Sequence, residues 1–493
     1  MTERATLIAS LTREADVDRL EGLVDGADLL ELRADLIGEV AAERLRQSFD
    51  GRLVYTSRSA AEGGAADLEP AERRRRLTAA ARRFDLVDLE AERDLEPELL
   101  DAVPAEKRIV SWHGRLAEAP ELGTRLDRMS RVGAALYKLV PRVDSTAQAL
   151  WPLELLVETG RRDVVAFASG EAGSWSRLLA PRLGAPWIYA SAGAVPAAEG
   201  QMSIATLERD YGLPELLPVR RLFGVVGRPV AHSLSPRLHN GLYRRLGIEA
   251  LYLPFHVEEF GRFWLDLVEG ADLGRFGMPL SGLRVTAPYK AIALAVAGAS
   301  SPLAARIMAA NTLVLRRGVW EAESTDPEGV VRPLAAKGVR LDGIDAAVVG
   351  VGGAGAAAAV GLEQAGARVC LANRTAERAR QTGARLGMAA MALDELDPGR
   401  FDLVVNATPL GRTPGDPLPF EVGRMTSGAA VVDMVYVGGG ETPLVEAARS
   451  SGLVVVDGRE VLLHQAFPQF ESMTGRQVPV SEARALLGLE PTA

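Results

Sequence analysis

The first 210 residues alternate short apolar runs with longer stretches rich in Ala, Glu, Arg and Leu. Each run has the length of a buried strand, and most of the gaps leave room for a helix. Eight such units in about 200 residues match a compact (β/α)8 barrel. An open, doubly wound sheet is the alternative. The runs are TLIASL (6–11), DLLELRADL (28–36), RLVYTSR (52–58), FDLVDLE (84–90), RIVSWH (108–113), LYKLVPRV (136–143), DVVAFAS (163–169) and PWIYASA (186–192).

The pattern breaks at YGLPELLPVRR (211–221), where two prolines predict a linker. An α/β architecture is predicted on both sides of it. We expect a barrel over residues 1–212, a smaller α/β domain over 220–325, and a Rossmann-type nucleotide-binding domain with C-terminal helices over 326–493. The strands predicted after the linker are LFGVVG (222–227), ALYLPFHV (250–257), GLRVTAP (282–288), AANTLVLRR (309–317), AAVVGVG (346–352), RVCLANR (368–374), DLVVNATP (402–409), AAVVDMVY (429–436) and LVVVDG (453–458).

The charge of the chain argues against polyanionic partners. The net charge is −9, which disfavours general binding to nucleic acid or to an anionic membrane. The one dense basic run, Arg73 to Arg76, lies in a Glu/Ala-rich helical stretch and predicts a solvated helix face. No run approaches the ~20 apolar residues of a membrane helix. Small molecules are therefore the predicted partners, with no nucleic acid and no membrane.

The cysteine and histidine content bears on the cellular compartment and on metal binding. The single cysteine, Cys370, excludes an internal disulfide framework and is typical of a reducing cytoplasm. The first residues, MTERATLIASL, carry charges and only a short apolar run, so we expect neither a signal peptide nor a membrane anchor there. The five histidines do not cluster with carboxylates at ligand spacing, so no metal site is predicted. The sequence sets no oligomeric state.

Lysine is rare in this chain. Of 56 basic residues only four are lysines: Lys107, Lys138, Lys290 and Lys337. Lys138 lies inside the sixth apolar run, where burial would lower the pKa of its amine. A neutral amine can attack a ketone and form a Schiff base. A strand lysine that snorkels to the surface or forms an ion pair is the alternative.

Other polar residues fall where the predicted barrel strands end, which is where catalytic groups gather in this fold. His113 could remove and return a proton next to an iminium, and the Glu62 carboxylate could orient its imidazole. A core histidine without a catalytic role is the alternative. Arginines at the strand ends suit a carboxylate substrate, because a guanidinium binds a carboxylate through two hydrogen bonds. The remaining candidates are Glu31, Arg33, Arg58, Arg177 and Gln201.

Five motifs in the first half carry a family resemblance: ELRAD (31–35), TSRSAAEGG (56–64), SWH (111–113), YK (137–138) and SR…GQ (176–201). Together they resemble type I 3-dehydroquinate dehydratase over residues 5–210. The resemblance implies that Lys138 forms the Schiff base and that His113, supported by Glu62, is the general acid/base. The segment PAAEGQ (196–201) departs from the family pattern, with Ala197 near the place of a lid serine. The implied substrate-binding residues are Glu31, Arg33, Arg58, Arg177 and Gln201, with Ser10 as a weaker candidate.

A glycine-rich turn lies in VVGVGGAGAAAAVGLEQAG (348–366), between a predicted strand and an Ala-rich helix. Glycines there let the backbone approach a pyrophosphate at the helix N-terminus. The next strand ends in ANRTAER (372–378), where an NAD-type domain would place an acidic residue for the ribose diol. Cations and donors in that place suit the 2′-phosphate of NADP(H). The residues are Gly350, Gly352, Gly353 and Gly355 in the turn, and Asn373, Arg374, Thr375 and Arg378 after the strand.

Two further elements precede the turn. The loop HSLSPRLHN (232–240) presents Ser233 and Ser235, a spacing that is also common in structural turns and caps. RVTAPYK (284–290) supplies Lys290, and ESTDPEG (323–329) supplies Asp326. A Lys/Asp pair near a hydroxyl can relay the proton that accompanies hydride transfer. An exposed salt bridge is the alternative for such a pair.

With SLSP (233–236), VTAPYK (285–290), NATPLG (406–411), DMVY (433–436) and DGREVLLHQA (457–466), these elements resemble shikimate dehydrogenase over about 220–490. The resemblance implies Lys290 and Asp326 as the catalytic pair. It implies substrate contacts from Ser233, Ser235, Thr286, Asn311, Asp326, Tyr436 and Gln465. It implies NADP(H) along Gly350, Val351, Gly352, Gly353 and Ala354, along Asn373, Arg374, Thr375 and Arg378, and with Val435 and Gly458 near the nicotinamide.

The sequence thus predicts a bifunctional enzyme of the shikimate pathway, which leads to aromatic amino acids. It would dehydrate 3-dehydroquinate and then reduce 3-dehydroshikimate with NADPH. One departure concerns the substrate: Arg284 stands where Asn or Ser usually precedes the VT pair. A preference for quinate or an amino-shikimate analogue is therefore a second hypothesis. A third is that one half is an inactive scaffold.

Overall fold

The computed structural model describes residues 3–65, 68–270, 273–413, 415–438 and 440–490. Its contacts divide the chain into two compact units. The first is Met1–Leu222 with Tyr243–Leu280, and the second is Phe223–Leu242 with Ser281–Ala493.

The first unit contains one sheet of eight parallel strands in the order β7-β6-β5-β4-β3-β2-β1-β8. All eight predicted strands are present, and the (β/α)8 barrel prediction is confirmed. Whole strands such as β2, β4 and β6 are buried along their length, as expected when helices cover the outside and side chains fill the inside. The strands are β1 (Thr6–Leu11), β2 (Leu29–Arg33), β3 (Arg52–Thr56), β4 (Leu86–Glu90), β5 (Arg108–Gly114), β6 (Leu136–Pro141), β7 (Val164–Ala166) and β8 (Trp187–Ser191).

The α-helices of the barrel region are short. They are Leu20–Leu23, Ala34–Ile37, Ala42–Leu45, Pro70–Ala81, Pro97–Ala102, Pro120–Met129, Leu150–Thr159, Ser176–Leu179 and Ile204–Thr206. The predicted linker is partly ordered as a strand. Glu215–Leu216 pairs with Glu3–Arg4 in an antiparallel ladder, which ties the end of the barrel region to its beginning.

Strand register decides which side chains point into the barrel. Lys138 on β6 lies opposite Ser111 on β5, and Ser111 lies opposite Glu90 on β4. Because side chains alternate between the two faces of a strand, residues two apart share a face. Asp88 and Glu90 therefore point the same way, as do Ser111 and His113. The alternation places a layer of ionisable groups inside a barrel whose other face is apolar.

Strands after residue 220 form two further sheets. Apart from the two-residue strand Ala299–Ser300, they are β9 (Arg221–Gly227), β10 (Ala250–His256), β11 (Leu280–Val285), β12 (Thr312–Arg316), β13 (Val319–Glu323), β14 (Asp345–Val349), β15 (Arg368–Asn373), β16 (Ala389–Ala392), β17 (Leu403–Asn406), β18 (Ala430–Asp433) and β19 (Val454–Val456). The helices are Ser235–Leu246, Phe260–Phe263, Lys290–Val296, Pro302–Ile307, Asp326–Ala336, Gly353–Gln364, Ala376–Leu386, Pro443–Ser450, Gly458–Thr474 and Val480–Leu486.

In the first of these sheets, β9, β11, β12 and β13 are neighbours in that order. β11, β12 and β13 are antiparallel. The sequence did not predict β13 as a strand, because its charged residues interrupt the apolar pattern. It forms a hairpin with β12 through Arg317 and Gly318, which both have positive φ.

The second sheet is parallel, with strand order β16-β15-β14-β17-β18-β19. This is the doubly wound Rossmann order, and its crevice lies where the direction of winding reverses, between β14 and β17. Alternate residues of β14 belong to separate hydrophobic clusters: Ala346 and Val348 to one, Ala347 and Val349 to the other. Both faces are therefore covered, and the predicted Rossmann domain is confirmed.

The prediction that the arginine run of the Pro70–Ala81 helix forms a solvated face is wrong for Arg73. Arg73 is 4% exposed and forms two hydrogen bonds to Asp94, at 2.7 and 2.6 Å, and one to the Ser57 carbonyl at 2.6 Å. Arg75, two residues along, is exposed and pairs with Glu72 on the same helix. The run of four arginines thus contains both a surface residue and a buried one that ties the helix to the barrel.

Replacement of Arg73 by Ala would leave the buried Asp94 carboxylate without its cation. We expect this to lower the free energy of unfolding of the barrel by about 3–5 kcal/mol. Arg75→Ala, in the same run, should leave stability unchanged because its ion pair is exposed. Hydrogen exchange of the β4 amides measures the difference, and equal protection in the two variants would contradict the assignment.

Two candidate active sites

A cavity of about 550 Å³ opens at the C-terminal ends of the barrel strands. The residues that the sequence singled out in the first half all line it. They are Ser10, Glu31, Arg33, Arg58, Glu62, His113, Lys138, Arg177 and Gln201.

Lys138 is the nucleophile candidate in this cavity. It is 6% exposed, and its Nζ lies 3.9 Å from the centre of the Tyr189 ring. Burial lowers the pKa of the Lys138 amine to about 8, although the Glu31 and Asp88 carboxylates oppose the shift. An unshifted lysine would be almost fully protonated at neutral pH, whereas this one has a sizeable neutral fraction. The environment therefore supplies a nucleophilic amine.

His113 and Glu62 form a pair next to it. The Nδ1 atom of His113 lies 3.1 Å from Glu62 Oε2, and the His113 backbone N–H donates to the same oxygen at 3.0 Å. Burial, followed by the positive charges of Arg58 and Lys138, holds the pKa of His113 well below its usual range. The imidazole is thus neutral at physiological pH. With Nδ1–H donating to Glu62, Nε2 is left unprotonated and can accept a proton.

Two opposing effects act on the pKa of Glu62. Burial raises the pKa of its carboxyl to about 8, while the Arg58 guanidinium, 3.2 Å away, opposes the rise. Its Oε2 accepts hydrogen bonds from Arg58 and from the His113 backbone, and it faces His113 Nδ1. Three N–H groups around one oxygen oppose that rise, and the deprotonated form that they stabilise can hold the imidazole in one tautomer.

Arg58 is surrounded by carboxylates, and two of them, Asp88 and Glu90, were not among the site residues predicted from the sequence. Its Nη2 donates to Asp88 at 2.8 Å, and its Nη1 donates to Ser111 at 2.9 Å and Glu90 at 3.3 Å. Ser111 in turn donates to Asp88 at 2.5 Å. Arg58 lines the cavity, but these partners use most of its hydrogen-bonding capacity. The missed signal was the D-x-E spacing in FDLVDLE, which places two acids on one face of a buried strand.

The remaining barrel candidates form two groups. Ser10 donates to Glu31 at 2.6 Å and accepts from Gln201 at 3.2 Å, so these three residues are joined. Arg33 pairs with Asp35 and also donates to the Ala197 carbonyl at 3.1 Å. Arg33 thus holds the segment around Ala197 through a backbone carbonyl. This contact does not need the hydroxyl of a lid serine at position 197.

Arg177 has no carboxylate partner among the residues that the structure describes. Its guanidinium lies 4.3 Å from the centre of the Phe167 ring, and its Nε–H has no acceptor. Burial alone lowers its pKa to about 10. A buried cation of this kind is suited to an anionic ligand, because the ligand would supply the missing charge.

The second site is centred on Lys290 and Asp326. Lys290 Nζ donates to Asp326 Oδ2, and the Asn311 amide donates to Asp326 Oδ1 at 2.8 Å. Asn311 Oδ1 also accepts from the Thr325 backbone N–H at 2.9 Å. The alternative of an exposed salt bridge is excluded, because Asp326 is 2% exposed. A lysine, a carboxylate and an amide thus form one connected group.

The predicted substrate residues of this site are brought together in part. The Gln465 amide is oriented so that its nitrogen donates to Asp326 Oδ1 and its oxygen accepts from Arg284, each at 2.6 Å. Arg284 also donates to Ser235 Oγ, and the Ser235 backbone N–H donates to Ser233 Oγ at 3.2 Å. Within the described part of the chain, the side chains of Thr286 and Tyr436 make no hydrogen bond to this group. Thr286 is held through its backbone N–H, and Tyr436 lines a small pocket with Val435 and Gly458.

The glycine-rich turn has the close packing that its glycines predict. Gly350 has a φ of +100°, and a Cβ on Gly355 would lie 1.9 Å from the Gly350 carbonyl oxygen. The turn leads directly into the Gly353–Gln364 helix. Its backbone N–H groups therefore lie at the N-terminus of a 12-residue helix, where an anion is stabilised.

Comparisons with known proteins find relatives of both halves of the chain. The family profile described as "Type I 3-dehydroquinase" matches residues 5–217, and that described as "Shikimate dehydrogenase substrate binding domain" matches residues 225–313. A shikimate dehydrogenase (NADP(+)) of Acidiphilium cryptum is 40% identical over 267 residues, which are 53% of this chain and 94% of that protein. The chain belongs to the shikimate dehydrogenase family and carries a type I 3-dehydroquinase domain before it.

Two more relatives extend the comparison. A bifunctional 3-dehydroquinate dehydratase/shikimate dehydrogenase, chloroplastic, of Arabidopsis thaliana is 28% identical over 490 residues and covers 92% of this chain and 79% of that protein. The crystal structure of shikimate dehydrogenase from Aquifex aeolicus is 30% identical with a TM-score of 0.50, covering 54% of this chain and 97% of that chain. Both domains of the chain thus have relatives, in the same order in the Arabidopsis protein.

The end of β15 in the shikimate dehydrogenase part is basic, as predicted. Asn373 donates to the Thr375 carbonyl at 3.0 Å and shapes the turn. Arg374 and Arg378 are exposed, and neither has an ion-pair partner among the described residues. No carboxylate ends the strand. This arrangement fits a 2′-phosphate better than a ribose diol.

Two searches of the described residues bear on other ligands. No helix there is long and apolar enough to cross a membrane. Within the same part of the chain, no three His, Cys, Asp or Glu side chains are grouped so that they could hold a metal ion.

The basic end of β15 makes a testable prediction for cofactor choice. Combined replacement of Arg374 and Arg378 by Ala should lower kcat/KM for NADPH about 100-fold, because charged hydrogen bonds to the 2′-phosphate are lost. The value for NADH should change less than about threefold. Arg380→Ala on the same helix, whose partner is Glu377 at 3.8 Å, is the matched control. Equal losses with both cofactors would contradict the assignment.

Proposed function

We propose that this chain catalyses two successive reactions of the shikimate pathway. The barrel would dehydrate 3-dehydroquinate to 3-dehydroshikimate, and the second half would reduce 3-dehydroshikimate to shikimate with NADPH. The observation that carries the proposal is that two of only four lysines lie within separate polar sites, each beside the carboxylates and amides that its chemistry needs. The product of the first site is the substrate of the second.

In the barrel, the neutral amine of Lys138 would attack the ketone carbon and lose water to form an iminium. The iminium withdraws electrons and acidifies the adjacent C–H. His113 Nε2 would accept that proton and deliver it to the departing hydroxyl, which leaves as water. Hydrolysis of the imine consumes one water and restores the amine. The net change is the loss of one water from the substrate.

Substrate recognition in the barrel would rest on polar groups that line the cavity. Arg177 is suited to the carboxylate, because its guanidinium has no carboxylate partner among the described residues. Glu31, Ser10 and Gln201 would bind hydroxyl groups, since they form one hydrogen-bonded set beside Lys138. Arg58 and Arg33 would act by holding Glu62 and the segment around Ala197 in place.

In the second site, Lys290 and Asp326 would bind the hydroxyl or ketone oxygen that changes oxidation state. Lys290 can donate a proton to that oxygen during reduction, and Asp326 keeps the ammonium in position. Asn311 orients Asp326 through the bond to Oδ1. NADPH, when bound, supplies the hydride. The turn at Gly350 to Ala354, the β15 end at Asn373 to Arg378, and Val435 with Gly458 would hold it.

The domain limits and the location belong to the same proposal. Residues 1–212 would form the dehydratase, 220–325 the substrate part of the dehydrogenase, and 326–493 its NADP part. A cytoplasmic location is supported by the single buried cysteine. The Arabidopsis relative is named as chloroplastic. Fractionation of the source cells that recovered the protein from an organelle would contradict a cytoplasmic location.

Two single-residue variants test the proposal, each expected to lose one activity and to keep the other. Lys138→Ala should abolish formation of 3-dehydroshikimate, read by its UV absorbance, while reduction of added 3-dehydroshikimate with NADPH continues at the wild-type rate. Lys290→Ala should do the reverse, lowering kcat of the reduction about 10²–10⁴-fold. Lys337→Ala, which loses only an ion pair to Glu460 at 3.1 Å, is the matched control.

Three outcomes would contradict parts of the proposal. Wild-type dehydration by Lys138→Ala would sink the imine mechanism. An inactive wild-type half would identify that half as a scaffold. A higher kcat/KM for quinate than for shikimate, or for NAD⁺ than for NADP⁺, would replace the proposed second reaction.

A further inference from the structure

Arg284 is a buried cation in the shikimate dehydrogenase part of the chain. It lies on β11, is 8% exposed, and contacts two of the residues proposed to bind substrate. Its Nη1 donates to Ser235 Oγ and its Nη2 donates to the Gln465 amide oxygen. Both acceptors are neutral, so hydrogen bonds are made but the charge is not balanced.

The surroundings of Arg284 supply no counter-charge. Among the described residues no carboxylate lies within ion-pair distance of its guanidinium, and its Nε–H has no acceptor. Asp326 is reached only through Gln465 and is already bonded to Lys290 and Asn311. A buried, unpaired charge is costly, so proteins retain one where a ligand completes it.

The nearby histidine does not alter this balance. His239 is buried, and burial together with the positive charge of Arg284 lowers its pKa to about 3. The imidazole is therefore neutral and adds no further positive charge. Arg284 lies on the Ser235 side of the site, while Lys290 lies on the Asp326 side.

We propose that Arg284 is a specificity-determining residue that pairs, together with Ser235, with the carboxylate of the dehydrogenase substrate. The inference rests on the proposed function and adds a residue that recognises the anionic form of its substrate. The cation supplies a charge-assisted hydrogen bond where serine hydroxyls alone would supply neutral ones. The substrate's reacting oxygen would then face Lys290, on the opposite side of Gln465.

The test combines a residue change with a change of ligand charge. Shikimate and its neutral carboxamide are compared as substrates, with NADP⁺, for wild type, Arg284→Asn and Arg284→Lys. In wild type the carboxamide should have a KM about 10- to 100-fold higher than shikimate. Arg284→Asn should raise KM for shikimate by a similar factor, change kcat less than about threefold, and bring the two ligands to nearly equal KM. Arg284→Lys should recover part of the discrimination.

Controls separate recognition from folding. Arg368→Asn removes an exposed arginine paired with Asp345 on the Rossmann sheet and should behave as wild type. The dissociation constant of NADP⁺, measured by calorimetry, should be unchanged in Arg284→Asn. If that variant does not fold, the wild-type ratio still decides: equal KM values for acid and carboxamide overturn the proposal.

Two other outcomes would distinguish a failure of this inference from a failure of the proposed function. Equal losses for acid and carboxamide in Arg284→Asn would show a structural role and overturn the inference while leaving the proposed function intact. A wild-type protein that binds NADP⁺ but oxidises neither ligand would overturn the proposed function and this inference together.

Discussion

The chemistry proposed for the barrel depends on one buried amine, which lies among charged side chains that are already paired with one another. Inside the strand ring, Arg58 is matched by Glu62, Asp88 and Glu90. Among the described residues Lys138 has no such direct partner, and desolvation outweighs the attraction of the more distant carboxylates, so its pKa falls to about 8. The charge network is thus arranged to satisfy the guanidinium and to leave the amine reactive.

The same principle separates the two sites. In the barrel, desolvation lowers the pKa of Lys138, and the neutral fraction of its amine can act as a nucleophile. In the second half, Lys290 donates a hydrogen bond directly to the Asp326 carboxylate. The two lysines thus have different neighbours, as their different proposed roles require. Arginine could serve in neither role, because its pKa keeps it charged.

Much of this arrangement was readable from the sequence, because strand periodicity and motif order are local. Eight apolar runs predicted eight strands, and Lys138, His113 and Glu62 do meet in one cavity. The positions of Asp88 and Glu90 were missed because an acid in an apolar run has no obvious partner until strand register is known. Arg73 was misplaced for a related reason: its partner, Asp94, is 21 residues away.

In the second half the sequence predicted that Lys290 and Asp326 form a pair, but not the bonds that support it. Thr325, which donates to Asn311, and Gln469, which donates to Thr312, hold the site from separate elements. Arg284 was recognised as a departure from the family pattern, yet only the structure joins it to Ser235 and Gln465. Local motifs therefore predict which residues act, while tertiary contacts determine which protonation state each one holds.

The central claim is that Lys138 has a lowered pKa and forms an imine, and borohydride reduction in the presence of 3-dehydroquinate tests it most directly. We expect a covalent adduct on the Lys138 peptide and none on those of Lys107, Lys290 or Lys337. The rate of labelling should rise with pH and level off above about pH 8, and should do so in Glu62→Gln as well. An adduct on another lysine, no adduct, or a rate that still rises tenfold per unit up to about pH 10 would contradict the account.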